Sequence, residues 1–425
     1  MADRAATPPP SAPDGDEGRW RTSLVVPVLI VAIAAGLIAA LVVVSRSEQD
    51  AGTEALGGTT VEGPLPVTVP FREVGGTIVI DVTLGDGSRT VPMILDTGAP
   101  TIVSEEVAAV FAGETMGTIA GAAADGQVIT SDVVQLSQVA IGDATFRDVG
   151  AVIGAIEPGN PFYCITEDGF VGANLMRAAA WQVDPTAGTV TIAASVDDLD
   201  TEDATRFAFS ATSDVSPSPL FELPAGEGML TLLLDTGSDG WLAVHPADLD
   251  DLGLDVPAEV PTMSILATGT GGAFTTRAHW LTTELELGGE AATLPIAAMK
   301  TVPQGQGNVG TDFLRHFVVT VDWPNDALYL EPVAELAPST PPSAGLGWDA
   351  GYVIGSFVEG AAGTAGLELG TPVSAIDDES VAGVPFDDFC TRVVRGAGPT
   401  TFEMTVDGEA PMTVPVAPVE GFFEP

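Results

Sequence analysis

Ile94-Leu95-Asp96-Thr97-Gly98-Ala99 and Leu233-Leu234-Asp235-Thr236-Gly237-Ser238 are two near-copies of one short pattern. In each, an apolar, strand-like run ends in Asp-Thr-Gly followed by a small residue. A single Asp-Thr-Gly is an ordinary way to end a strand, because Asp and Gly are common turn residues. Two copies with matched surroundings are a repeat.

The surroundings do match. The first triplet is preceded by Gly76-Thr77-Ile78-Val79-Ile80-Asp81-Val82-Thr83-Leu84, a glycine-containing turn and Val91-Pro92-Met93; the second is preceded by Met229-Leu230-Thr231-Leu232. Downstream stand Gly169-Phe170-Val171-Gly172 and Gly307-Asn308-Val309-Gly310. Gly172 lies 76 residues after Asp96, and Gly310 lies 75 after Asp235. Each landmark is followed by a strand carrying Asp: Trp181-Gln182-Val183-Asp184, then Val319-Thr320-Val321-Asp322. This order predicts two lobes, over residues 64–195 and 205–334, joined by an Asp-, Ser- and Pro-rich strip.

The residue types suit one chemistry. Two carboxylates a few Å apart cannot both ionise cheaply, so they share a proton. The ionised one takes a proton from water, and the protonated one hydrogen-bonds a carbonyl. The Gly of each triplet lets two loops approach without a Cβ in the way. The Thr hydroxyl can donate to backbone across the boundary between the lobes. The Ser238 hydroxyl can hydrogen-bond its carboxylate and Ala99 cannot, so Asp96 is expected to be the easier of the two to protonate.

These motifs resemble the catalytic lobes of retropepsin-like and pepsin-like aspartic proteases. The stretch through Ala99 resembles the retroviral-type motif and the one through Ser238 the pepsin-type motif. Val171-Gly172 and Val309-Gly310 resemble the hydrophobic-hydrophobic-Gly element that packs beneath the catalytic loop. The resemblance covers residues 64–334. It implies a mostly β fold with two closed β lobes, and a cleft for a peptide or protein substrate under a hairpin flap. It also implies catalytic Asp96 and Asp235 supported by Thr97, Gly98, Ala99, Thr236, Gly237 and Ser238. Flap tips are expected near residues 121–127 and 268–274. The three tyrosines, Tyr163, Tyr329 and Tyr352, fall outside them, so the flap Tyr of the pepsin branch is missing.

Beyond a Pro-rich hinge at residues 337–342, residues 345–418 resemble a PDZ domain, an α+β module. Gly345-Leu346-Gly347-Trp348 stands as its carboxylate-binding loop, followed by Ala365-Gly366-Leu367 and an amphipathic segment with Phe389, Cys390, Val393 and Val394. A C-terminal peptide ligand is what this resemblance implies.

Residues 24–44 form an uncharged run of 21, enough to span roughly 30 Å as a helix. Arg4, Arg19 and Arg21 precede it, and only Arg46 follows closely. The expectation is a disordered cytoplasmic tail (1–23), one transmembrane helix (24–44) and a flexible stalk (45–63), with the bulk of the chain outside the cytoplasm. With 59 Asp plus Glu against 14 Lys plus Arg, the net charge is −45, which repels nucleic acid. Spacing supports neither a structural metal site nor a Ser/His/Asp triad, and no cofactor is expected. Cys164 and Cys390 fall in different expected domains, and no disulfide is expected between them. The reading is a membrane-anchored aspartic endopeptidase with a PDZ-like module; the alternative is a catalytically silent peptide-binding scaffold on the cell surface.

Overall fold

A computed structural model of the chain describes residues 49–122, 128–213, 217–254, 260–269, 272–396, 402–406 and 411–423. The tail and the apolar run at 24–44 lie outside these residues. Among the described residues no helix is long and apolar enough to cross a membrane.

The protein is mostly β. After a helix over residues 49–57 (α1), the first repeat contains β1 Thr60–Glu62, β2 Val67–Val74, β3 Thr77–Leu84, β4 Arg89–Asp96, β5 Ile102–Val103, α2 Glu105–Phe111, β6 Ala112–Ala122, β7 Val128–Ile141, β8 Ala144–Ile153, α3 Pro161–Ile165, β9 Gly169–Gly172, α4 Ala173–Met176, β10 Ala180–Asp184 and β11 Thr189–Ala193. The second contains β12 Thr205–Ala211, β13 Pro219–Ala225, β14 Gly228–Leu234, β15 Leu242–Val244, β16 Thr262–Gly269, β17 Gly272–Leu287, β18 Glu290–Met299, β19 Gly307–Val309, α5 Thr311–Leu314, β20 Phe317–Asp322 and β21 Ala327–Pro332. The C-terminal module has β22 Ala344–Trp348, β23 Tyr352–Val358, β24 Val373–Ile376, β25 Glu379–Ser380, α6 Phe386–Phe389, β26 Phe402–Val406 and β27 Met412–Val416; α6 runs on into a π-helical turn, Cys390–Val394.

The two Asp-bearing strands noted in the sequence meet each other. β10 pairs antiparallel with β20, Trp181 opposite Val321. β11 and β2 extend this pair on one side, β21 and β12 on the other. The six strands form a sheet that joins the repeats, with β2, β11 and β10 of the first in the places that β12, β21 and β20 hold in the second. Alternate residues of β3 and β4 — Ile78, Ile80, Val82, Leu84, Val91, Met93 and Leu95 — enter one large apolar core shared with the second repeat. Val79, Ile94, Ile102 and Phe170 line the opposite face, in a smaller cluster.

Four expectations are corrected. First, the segment expected as a free stalk packs on the first repeat: Leu56 is wholly buried beside Ile94 and Phe170, and β1 pairs with β8. Burying those side chains outweighs the freedom of a linker. Second, Cys164 in α3 and Cys390 in the π-helical turn form a disulfide, with Cα atoms 4.9 Å apart across 226 residues of sequence. Folding brings α3 against the module, and Cys164 sits in the module's own core with Tyr352, Ile354 and Phe389. Third, the Pro-rich hinge is pinned. Ser339 hydrogen-bonds Asp312 and Arg315, and Ser343 N–H donates to the Ala417 carbonyl. Fourth, Gly345, Leu346, Gly347 and Trp348 belong to strand β22, paired with β23. The ladder, with a bulge between Gly345 and Leu346, ties these residues to β23 in place of the open loop that was expected.

Candidate functional site

Asp96 is the last residue of β4 and Asp235 the first after β14. Both strands run between an antiparallel neighbour and a short parallel one. β4 pairs with β9, setting Asp96 beside Gly172. β14 pairs with β19, setting Leu234 beside Val309 one step before Asp235 and Gly310. The Val-Gly landmarks thus lie under the loops that follow each Asp. A Cβ on Gly172 would come 2.1 Å from the Pro100 carbonyl carbon, and one on Gly310 would come 2.6 Å from the Gly240 oxygen. Each landmark also anchors its loop alike: Ala173 N–H donates to the Ala99 carbonyl at 2.9 Å, and Thr311 N–H to the Ser238 carbonyl at 2.8 Å.

The two loops then meet face to face. Thr97 N–H donates to Thr236 Oγ1, and Thr236 N–H donates to Thr97 Oγ1, both at 3.0 Å. The hydroxyls donate onward: Thr97 Oγ1 to the Leu234 carbonyl at 2.6 Å, Thr236 Oγ1 to the Leu95 carbonyl at 2.7 Å. Both threonines are buried. A Cβ on Gly98 would lie 2.5 Å from Asp235 Oδ1, and one on Gly237 would lie 2.4 Å from Asp96 Cγ. Each glycine is the floor on which the opposite carboxylate rests, so no larger residue fits.

The carboxyls are in hydrogen-bond contact, and both sit above the ordinary carboxylate range. Burial is the main cause for each. Asp96 is pushed up to about 8 by burial and then by the charge of Asp235. Backbone N–H groups two and three residues on, from Gly98 and Ala99 or from Gly237 and Ser238, pull the other way at both sites. Gly98 N–H reaches Asp96 Oδ1 at 2.8 Å and Gly237 N–H reaches Asp235 Oδ1 at 3.1 Å.

The residue that separates the two carboxyls is not the one expected. The Ser238 hydroxyl turns away and accepts from Gly240 N–H at 3.3 Å. Its place beside the carboxylate is taken by Asn308, whose Nδ2 donates to Asp235 Oδ2 at 2.7 Å. The sequence carried a signal for it. Two residues before the landmark glycine the first repeat has Phe170 and the second has Asn308, a polar residue in an otherwise apolar strand. What the spacing does not show is that this position abuts the Asp, because that follows from the parallel pairing of β14 with β19.

Hairpins β6–β7 and β16–β17 stand where the flaps were expected. Their tips, residues 123–127 and 270–271, lie outside the described residues. The second hairpin is tied to the C-terminal module: β16 pairs with β23, and Glu359 takes hydrogen bonds from Ser264 and from Arg277. A cavity of about 280 Å³ opens between the β2–β3 turn and α5, lined by Phe71, Glu73, Asp239, Leu314 and Phe317. It reaches Thr236 but neither Asp96 nor Asp235.

Residues 80–175, from β3 to α4, match the family model described as aspartyl protease. That segment holds Asp96 and its landmark Gly172. A search of curated proteins found no match.

Proposed function

We propose that the protein is a membrane-anchored aspartic endopeptidase in which Asp96 and Asp235 activate one water molecule for attack on a peptide bond. The observation that carries this reading is the reciprocal packing of the two Asp-Thr-Gly loops, which holds both carboxyls in contact in a buried site. A dyad that shares one proton has an ionised member to accept the proton of water and a protonated member to polarise the scissile carbonyl. Proton sharing between paired carboxyls is the general chemistry of aspartic proteases, and it is that general chemistry which the site is assigned. The match of residues 80–175 to the aspartyl protease model supports the same reading. Gly98 and Gly237 would set the distance between the carboxyls, and Thr97 and Thr236 would keep the loops in register.

The flanking parts belong to the same proposal. Residues 24–44 anchor the chain, with the N-terminus cytoplasmic and the rest outside. The Cys164–Cys390 disulfide supports an oxidising location for the residues beyond the span. The C-terminal residues keep the peptide-binding role that the PDZ resemblance implies, on the outer edge of β22. Among the described strands β22 pairs only with β23, so an extended peptide can add there, next to Phe386 and Phe389.

The test is cleavage of a denatured protein mixture by residues 48–425, which form one compact unit, between about pH 3 and pH 8. Cleavage abolished by Asp96→Asn and by Asp235→Asn is the expected result. Cleavage that survives either substitution sinks the dyad. No cleavage by the unsubstituted protein at any pH would favour a silent peptide-binding scaffold. Failure of the module to bind any member of a C-terminal peptide library would remove its assigned role.

A further inference from the structure

The two carboxyls are matched in nearly every respect. Each stands at the end of a strand with a parallel neighbour, each rests on the opposite glycine, and each receives backbone N–H groups from the residues two and three further on. They differ in the side chain that meets them from the parallel strand. Asn308 of β19 stands next to Leu233 in the parallel ladder and donates through Nδ2 to Asp235 Oδ2 at 2.7 Å. The position in the first repeat is Phe170, a buried hydrocarbon with nothing to donate.

We propose, on the reading of the site as a proton-sharing dyad, that Asn308 is its positioning residue. It holds Asp235 as the ionised member that takes the proton of water, and leaves the shared proton on Asp96, which faces the scissile carbonyl. An amide N–H is a donor with no acceptor capacity at that atom, so it favours a carboxylate over a carboxylic acid at Oδ2. In a buried site such a bond to a charged group is strong, and among the described residues no side-chain amide acts on Asp96. The carboxamide also fixes the plane of the Asp235 carboxyl, while the Gly237 N–H holds its other oxygen.

Other charges do not account for the difference. Among the described residues, the titratable groups facing the pair are Asp96 across the boundary and Asp239 in the loop after Asp235, with Asp312 of α5 acting on Asp239. Asp239 and Asp312 are acidic and supply no positive charge to stabilise an ionised Asp235, while a protonated Asp96 can donate to it. Strands β14 and β15, on either side of β19, carry no titratable side chain.

The test is the pH profile of kcat/KM for the full chain with Asn308→Leu and Asn308→Ser, and with Phe170→Leu as the matched change in the first repeat. Loss of a hydrogen bond to a charged group should move the acid limb of Asn308→Leu up by about 1 pH unit or more. KM should change less than kcat, since the donor acts on the reacting carboxylate. Asn308→Ser, which restores a small donor, should recover part of the shift, and Phe170→Leu should leave the acid limb in place. Thermal melts identify any variant that does not fold; the serine variant then carries the comparison. An acid limb within about 0.3 unit of the unsubstituted protein in both Asn308 variants overturns the assignment. An equal shift in Phe170→Leu overturns it too. If Asp235→Asn still cleaves, the dyad itself is wrong, a result separate from an unmoved acid limb in a protein that needs both aspartates.

Discussion

Replacing Thr236 by Val tests the feature that joins the two repeats. Valine keeps the shape of threonine, so no cavity is made, and only the hydroxyl is lost. Thr236 Oγ1 accepts from the Thr97 N–H at 3.0 Å and donates to the Leu95 carbonyl at 2.7 Å. Thr97 is 1% exposed and Thr236 3%, so water does not reach the groups left behind. Orphaning buried polar groups costs about 1–3 kcal/mol each, which puts the substitution at about 2–5 kcal/mol. Thr68, whose hydroxyl meets that of Thr191 on the surface at 2.9 Å, is the control; Thr68→Val should cost less than about 1 kcal/mol. Urea unfolding of both variants measures the difference through the midpoint and slope. Thr97→Val breaks the mirror-image bonds, to the Thr236 N–H and the Leu234 carbonyl. Once one side is lost the opposite bonds are held less firmly, so the second substitution removes less. The double variant should therefore cost less than the sum of the single ones, by more than about 0.5 kcal/mol. A Thr236→Val no more destabilising than Thr68→Val, or strictly additive effects, would refute the reasoning.

Three further outcomes follow from other parts of the molecule. Asp96 is held protonated up to about 8 against an ordinary 3.8, so its contribution to stability is fully present below about pH 4 and is lost as pH rises through about 8. Asp96→Asn should thus match the unsubstituted protein near pH 4 and exceed it by several kcal/mol near pH 8, in thermal melts at the two pH values; equal melting differences at both would contradict the assignment. Replacing Cys164 and Cys390 by Ser opens a link across 226 residues and should cost about 3–5 kcal/mol, with protease nicking of the 333–343 segment much faster than in the parent; unchanged nicking would show that β16–β23 pairing alone holds the module. Leu56→Ala, at a fully buried position, should cost about 2–5 kcal/mol in chemical denaturation, whereas a true linker residue would show no effect.

Much of the middle of the chain was legible in the sequence. The apolar runs before Asp96 and Asp235 read as strands, and they are β4 and β14. The spacing to Gly172 and Gly310 read as a repeated support, and both glycines pack under the loops with no room for a Cβ. The cross-boundary bonds of Thr97 and Thr236 followed from residue type alone. The expected asymmetry between the two carboxyls has its structural counterpart in Asn308 beside Asp235, not in the adjacent Ser238. Side-chain rotation decides where a serine hydroxyl points, and here Gly240 N–H competes for it. The stalk and the hinge were misread because polar, Gly- and Pro-rich composition describes a segment's own preference, and Leu56 and Ser339 are held by contacts with distant residues. Gly345 to Trp348 likewise read as a loop until β23 paired with them.

What the sequence determined by itself is whatever follows from chain order: two triplets, two landmarks at matched distances, and the alternation that sends Leu95 into the core and Asp96 to the opposite face. Those are local because strand periodicity and turn chemistry act over a few residues. Packing alone set the meetings across long separations: Asn308 against Asp235, Cys164 against Cys390, Leu56 against Ile94, and β16 against β23. Each depends on which surfaces the packed strands bring within a few Å of one another. Hydrogen bonds and dispersion act only at that range, so no spacing along the chain announces them.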